Sequence, residues 1–471
     1  MNEQAILPFV VELDPNSDGV TGRAGLALVA ETMRALRLPQ MIRGEIKVRQ
    51  RSRGYTEAAQ VEAVVLLLAS GGECLDDLEV LRKDAGLCRL LGTTLPSPDA
   101  TRHFLYTFHD ETLMAAARAE RGPEQKAYIP RENAALRGLA RVQASLVRRV
   151  AAQGKSRKAT LDHDATILES HKREAMAHYQ GGRGYQPAAI YWAEEDLVVA
   201  DEYRDGNVPA AMSNLPLIRR GFAALPSKIT EYYFRADSAC YDVTVLKWLV
   251  DPARPDGPAG PIGFTISADM TQDLRTVCQA APGSAWKLLE ERVDETVHWC
   301  EVEFAPGDWS KQAWPLRYLV RRIRKHQGVL FANGGDTKYL AITTNREGPG
   351  AELIRWHYEK AGTIELVHDV TKNELGAAVP PCGRFGANAA WYRLSLITYN
   401  VISAMKSLAL PVEFHTARPK RLRFLVLTLA GRIVSHAGRL VLRIALEADR
   451  RAGFREARRS LAACLARPAP A

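Results

Sequence analysis

The chain has 471 residues, 46% of them apolar and 25% charged, with a net charge of +9. That balance excludes a disordered chain, allows two or three domains with full cores, and contains no apolar run long enough to span a bilayer. Seven scattered cysteines form no CxxC pair and eleven histidines form no HExxH pair, which excludes the common zinc sites and fits reduced thiols in a cytosolic protein.

The N-terminus has no basic segment followed by an apolar core, so no secretory signal is expected and the chain is expected to be cytoplasmic. A helix is predicted over 25–36, followed by a basic run, Lys47, Arg49, Arg51 and Arg53. The next helix is better signalled. Thr56 caps it, Glu57 suits its positive end, Val61, Val64, Val65 and Leu68 recur at helical spacing, and Gly71 stops it. Further helices are predicted over 75–81 and from Pro98, where Ser97 is the cap and Arg102 sits on the exposed side. Short helices beside basic residues fit a helix-turn-helix or an ordinary helical bundle. Residues 1–155 therefore form a helical N-terminal region, with Arg102 a candidate DNA contact.

From Lys158 the pattern turns to β. Strands are predicted over 158–168, 188–193 and 197–202, then a helix over 208–222, a strand over 229–236, a helix over 241–250 and a strand over 262–267. Three antiparallel strands followed by strands alternating with helices describe an α/β fold, an RNase H-like mixed sheet flanked by helices. Residues 156–271 are its first part. Residues 272–337 hold four of the eight tryptophans and β-like alternation, and are read as a mainly β insertion. Sheet pattern resumes at 338–344 and a long helix is predicted over 351–375, so that 338–380 completes the core. The remainder, 381–471, reads as helical and basic. From Pro411 it carries thirteen Lys and Arg against four Asp and Glu, a surplus equal to that of the whole chain. Basic residues so placed suit phosphate backbones. The apolar runs 64–69 and 424–430 read as buried helix or strand.

Two predicted strands end in acids. In Thr160-Leu161-Asp162-His163-Asp164 the alternation puts Asp162 and Asp164 on one face. In Tyr232-Tyr233-Phe234-Arg235-Ala236-Asp237 an aromatic strand ends in an acid before a helix. Carboxylates converging from separate elements are what a pair of divalent ions requires for phosphodiester chemistry. On the long helix, Tyr358, Glu365 and Lys372 lie seven residues apart and share one stripe, drifting by only about 20° per step.

That spacing resembles the Y-x2-R-x3-E-x6-K signature of bacterial insertion-sequence DDE transposases, a family whose catalytic sheet is interrupted by a β insertion. The chain departs from it at the arginine, where Ala361 stands beside Lys360, an ammonium without the planar fork of a guanidinium. Further matches extend over roughly 55–465: Asp164-Ala165-Thr166, Arg235-Ala236-Asp237-Ser238, Gly184-Tyr185-Gln186-Pro187, Asp205-Gly206-Asn207-Val208 and Gly386-Ala387-Asn388-Ala389. The resemblance implies a transposase that cuts insertion-sequence ends and transfers them to target DNA. It implies that Asp164, Asp237 and Glu365 hold two Mg2+ ions, with Mn2+ able to substitute; Asp162 is the rival for the first position. Asp269 and Asp369 are lesser candidates near the site. Tyr358, Lys360 and Lys372 become phosphate-positioning residues, and Trp299 or Trp309 the aromatic that stacks on a flipped base, a core tryptophan being the alternative for each. The implied partners are double-stranded DNA, both terminal inverted repeats and target, and a second copy of the chain on DNA. No membrane is implied, and the nucleoid is the expected place of action. Ala361 leaves a second reading open, a catalytically decayed transposase acting as a DNA-binding repressor.

Overall fold

The computed structural model describes residues 12, 15, 17–49, 53–120, 126–307, 316–326, 331 and 335–467. Helices α1 (Leu26–Ala35), α2 (Leu38–Glu45) and α3 (Glu57–Ser70) open the fold. The signals at α3 act as expected. The Thr56 hydroxyl accepts from Ala59 N at 3.2 Å, and the helix ends at Gly71 with φ +96°, a conformation that glycine adopts without strain. Helix α4 (Pro98–Tyr106) is capped by Ser97, which accepts from Ala100 N at 3.2 Å, and α5 (Ala134–Ala151) by Asn133.

The sheet is built on β1 (Lys158–Ala165), β2 (Ala188–Trp192), β3 (Leu197–Glu202), β4 (Glu231–Ala236) and β5 (Ile262–Ala268). Their order is β5-β4-β1-β2-β3, with β1, β4 and β5 parallel and the β1-β2-β3 meander antiparallel. This is the mixed RNase H-like arrangement anticipated from the alternation of elements. Helices α6 (Asn214–Ala223) and α7 (Val243–Val250) make the crossovers. Helix α6 starts six residues later than its periodicity suggests, after a turn in which Ser213 takes a left-handed φ of 59°.

The insertion begins with a helix, Gln272–Ala280, and continues as β6 (Lys287–Glu291), β7 (Glu295–Val302) and β8 (Arg317–Lys325). It is no separate β unit. Its strands pair in succession with each other and with β9 (Thr337–Thr344), which runs antiparallel to β5, so a single nine-stranded sheet results. Trp309 lies outside the described residues.

Strand β1 stops at Ala165 rather than at 168, and two further segments differ from expectation. The long helix predicted over 351–375 is broken: α8 (Gly350–Tyr358) gives way to a 3-10 turn, Glu359–Gly362, before α9 (Ile364–Glu374). The basic remainder is not helical throughout. After the 25-residue α10 (Phe385–Ala409) the chain forms a hairpin of β10 (Gly431–His436) and β11 (Arg439–Ile444), then α11 (Ala448–Ala466). Its β10 strand pairs with Val20–Thr21. Long-range pairing of this kind leaves no trace in local periodicity. Helix α10 is buried along most of its length; α3 and α5 pack on it, and α11 packs on both α10 and α1. Among the described residues no single helix is long and apolar enough to cross a membrane.

Candidate active site

Register sets the geometry. Strands β1 and β4 are adjacent and parallel, with Asp162 opposite Arg235 and His163 opposite Ala236. The next residues along the two segments are Asp164 and Asp237, and the two carboxylates are close enough that Asp164 raises the Asp237 pKa. Side chains alternate along a strand, so Asp162 and Asp164 share a face, as do Arg235 and Asp237. The first opposed pair is complementary: Arg235 Nε and Nη2 donate to the two oxygens of Asp162 at 2.6 and 2.9 Å, with both side chains buried. The second pair is two like charges, an arrangement that destabilises a sheet unless a cation joins it.

Asp162 is therefore occupied. It also accepts from the Thr363 hydroxyl at 2.5 Å, and Arg235 Nη1 donates onward to the Trp356 carbonyl at 2.7 Å and to Glu359 at 3.2 Å. These bonds tie the break between α8 and α9 to the sheet. A continuous helix would carry Thr363 and Lys360 elsewhere; Gly362, a poor helix former, helps the chain turn instead. The break has two consequences. Tyr358 leaves the stripe of Glu365 and Lys372 and lies under the Arg321 guanidinium of β8, 4.1 Å from its ring. Lys360, only 8% exposed, is turned into the acidic cluster, its Nζ 3.6 Å from Asp164 and 3.8 Å from Glu365.

The electrostatics follow from burial. Asp164 titrates above its ordinary range because it is desolvated and faces Glu365, with Lys360 opposing the shift. Asp237 is raised by burial and then by Asp164. Asp237 also accepts from Ala239 N at 3.1 Å, which fixes it as the cap of the short turn after β4. His368, one turn along α9 from Glu365, lies with Nε2 3.9 Å from Asp164; burial holds its pKa down to about 3, so the imidazole is neutral. His163, buried on the opposite face, is likewise held to about 3 and contacts Cys240 at 3.3 Å.

Among the described residues no three His, Cys, Asp or Glu side chains are drawn tightly enough together to form a finished ion cage. Lys360 bridges two of the three acids. The donor set still fits hard divalent ions: three carboxylates from three elements, two of them forced together by register, with no thiolate among them. An ammonium already held between Asp164 and Glu365 marks the place as one where positive charge is favourable.

The other candidates fall outside this cluster. Arg102 is paired with Asp76 at 3.3 Å and with Asp99. Trp299 is half-buried, packed against α8 so closely that a Cβ on Gly350 would stand 2.3 Å from its ring. Asp269 is exposed beyond the end of β5, and Asp369 is paired with Arg418 at 2.7 Å. Lys372 lies on the same face of α9 as Glu365, about two turns away. Sequence reasoning missed the bonding role of Arg235 and Thr363; the only local hint was an arginine two residues before the strand-end acid.

The family described as Transposase DDE domain group 1 matches residues 8–465. Among solved structures, the chain is similar to the piggyBac transposase, determined by cryo-EM as a synaptic complex with hairpin DNA. The two share 10% identity over 87% of this chain and 80% of that one, with a TM-score of 0.45. No curated protein matches.

Proposed function

The chain belongs to the family of DDE-domain transposases, group 1, and from that premise we propose that it cuts insertion-sequence ends and joins them to target DNA at the Asp164, Asp237 and Glu365 cluster. The observation that carries this reading is the like-charge pair Asp164–Asp237, one register step beyond the compensated pair Asp162–Arg235. A sheet that neutralises one opposed pair internally and leaves the next as two acids is suited to taking its cations from outside.

Asp164, Asp237 and Glu365 would hold two divalent ions, Mg2+ with Mn2+ able to substitute. Such ions, when bound, activate water at neutral pH and stabilise charge on an in-line phosphoryl displacement. The residues of the chain do the positioning. Asp162, Arg235 and Thr363 hold the turn that brings Lys360 and Glu365 to the strand ends. Lys360 offsets part of the acidic charge and is available to a phosphate oxygen once ions compete for its carboxylates. Lys372, on the same face of α9 as Glu365, would hold the flanking phosphate, and Tyr358, stacked under Arg321, would contact DNA apart from that stripe.

The helical region 1–155 and the basic region 381–471 would grip the DNA ends, and two copies would act on paired ends, in the cytoplasm on nucleoid DNA. Nothing in the family match favours the decayed repressor. The test is direct: purified protein, Mg2+ and a duplex carrying the inverted repeats that flank its gene. Nicked and joined products that vanish with a chelator support the reading; DNA binding without either product removes it.

A further inference from the structure

Beyond the end of α9 the chain forms a short basic ridge that the cluster above does not use. Residues Pro419–Leu422 make a single helical turn that runs into a π-helical turn, Arg423–Leu427. The ridge is bolted down. The Glu374 carboxylate accepts from Arg418 Nε at 2.5 Å and from the Lys420 backbone N at 2.6 Å. The Arg423 guanidinium donates to the carbonyls of Leu68 and Ala69, each at 2.9 Å, and to that of Glu374. Leu422, Val426 and Leu427 are buried beneath.

Wide π turns are frequent at functional sites. This one throws Phe424 outward, where it is 83% exposed, although its sequence context reads as part of a buried apolar run. Phe424 is thus held in water by a rigid turn rather than by looseness of the chain. Lys420 and Arg421 beside it are exposed, and among the described residues no acid engages either side chain. From Phe414 to Ala430 there are four basic residues and no acid. A protein-docking core would be depleted of charge around its aromatic anchor. An aromatic face set among free cations instead matches what single-stranded or unpaired nucleic acid needs, a ring for the base and ammonium or guanidinium groups for phosphates.

Place supports the same partner. Arg418 pairs with Asp369 on the face of α9 that also carries Glu365 and Lys372. At 1.5 Å per residue, Glu374 lies about 14 Å beyond Glu365, a distance of about four base pairs. We propose that Phe424, flanked by Lys420 and Arg421, is a stacking platform for an unpaired or unstacked base of DNA lying along α9, a few base pairs from the phosphate at Glu365. The proposal rests on the reading that this chain handles DNA.

It is tested by binding alone, without divalent ions, so that catalysis plays no part. The probes are a short labelled duplex and the same duplex with an internal unpaired bubble, followed by fluorescence anisotropy. Phe424→Ala should weaken binding to the bubble by roughly 5- to 100-fold, leave the perfect duplex nearly unchanged, and melt like the wild type because the side chain is exposed. Phe424→Trp should keep the preference. Lys420→Glu combined with Arg421→Glu should weaken both DNAs and flatten the salt dependence by about two phosphate contacts. Wild-type affinity of Phe424→Ala for the bubble, or an equal loss on both DNAs, overturns the platform while leaving the transposase reading intact. Wild-type protein that binds neither DNA overturns both.

Discussion

Arg235 holds both carboxylate oxygens of Asp162, across two adjacent parallel strands and with both side chains buried. From the same guanidinium a third bond reaches the Trp356 carbonyl, so one arginine connects the sheet to the end of α8. Thr363, at the start of α9, closes the loop by donating to Asp162. The helix that carries Glu365 is thereby oriented through an ion pair that itself touches neither Asp164 nor Asp237.

Breaking that pair should be costly. Arg235→Met leaves Asp162 buried without its counter-ion and is expected to lower unfolding free energy by about 3–5 kcal/mol. The double variant Arg235→Met with Asp162→Leu should recover most of the stability and yet remain slow in DNA cleavage, since the turn at 359–363 is no longer tied. Urea unfolding and cleavage rates on the same preparations decide it. Full activity in a stable double variant would deny the pair any positioning role.

The three acids should be separable from DNA binding. Asp164→Asn, Asp237→Asn and Glu365→Gln are each expected to slow strand cleavage by roughly three orders of magnitude or more. Affinity for DNA should stay within a few-fold of wild type. Retained cleavage in any one of them takes that residue out of the site.

Asp205 offers a pH test away from the acidic cluster. It is 6% exposed, and burial raises its pKa to about 6, with Arg118 opposing the shift. Its pKa is higher folded than unfolded, so the folded state binds the extra proton between the two values. No penalty exists below about pH 4; stability is lost as pH rises towards 6 and the loss is complete above it. Asp205→Asn should therefore be more stable than wild type at pH 8, by up to about 3 kcal/mol, and indistinguishable from it near pH 4. Thermal melts at the two pH values give the answer, and an equal shift at both would contradict the burial argument.

Trp299 and Gly350 make the junction between insertion and core. Gly350→Ala would drive a methyl to 2.3 Å from the indole, so the ring or the start of α8 must move. A loss of about 1–3 kcal/mol is expected, with Trp299 fluorescence shifted as the ring gains solvent. Unchanged stability and emission would show that the ring is free to leave, as a base-stacking tryptophan would need to be.

Much of this architecture is legible locally. The caps at Thr56 and Ser97, the strand at β1 and the strand-then-acid pattern at Asp237 each depend on a handful of neighbouring residues and appear as read, although β1 stops at Ala165 and is buried over five successive residues rather than in alternation. The break at 359–363 is not legible in that way, because helical periodicity runs through it; beyond the weak local signal of Gly362, the turn is held by bonds from Thr363 and Trp356 to partners on strands far away in the chain. The hairpin at 431–444 and the exposed Phe424 escaped for the same reason: pairing with Val20–Thr21 and the anchoring of Arg423 on α3 are made by distant residues.

Spacing and alternation in the chain determined the class of fold, the strand ends that carry acids and the helix that offers a third. The chain also favoured Asp164 over Asp162 through its Asp-Ala-Thr context, but what each carboxylate meets is visible only in the tertiary structure, since the two share a face and differ in what lies opposite. An arginine 73 residues away neutralises the first; the other acts electrostatically on a second aspartate, Asp237. Periodicity follows from backbone geometry, which neighbours dictate, whereas the charge a buried carboxylate must answer to is set by whatever the folded chain brings within a few ångströms of it.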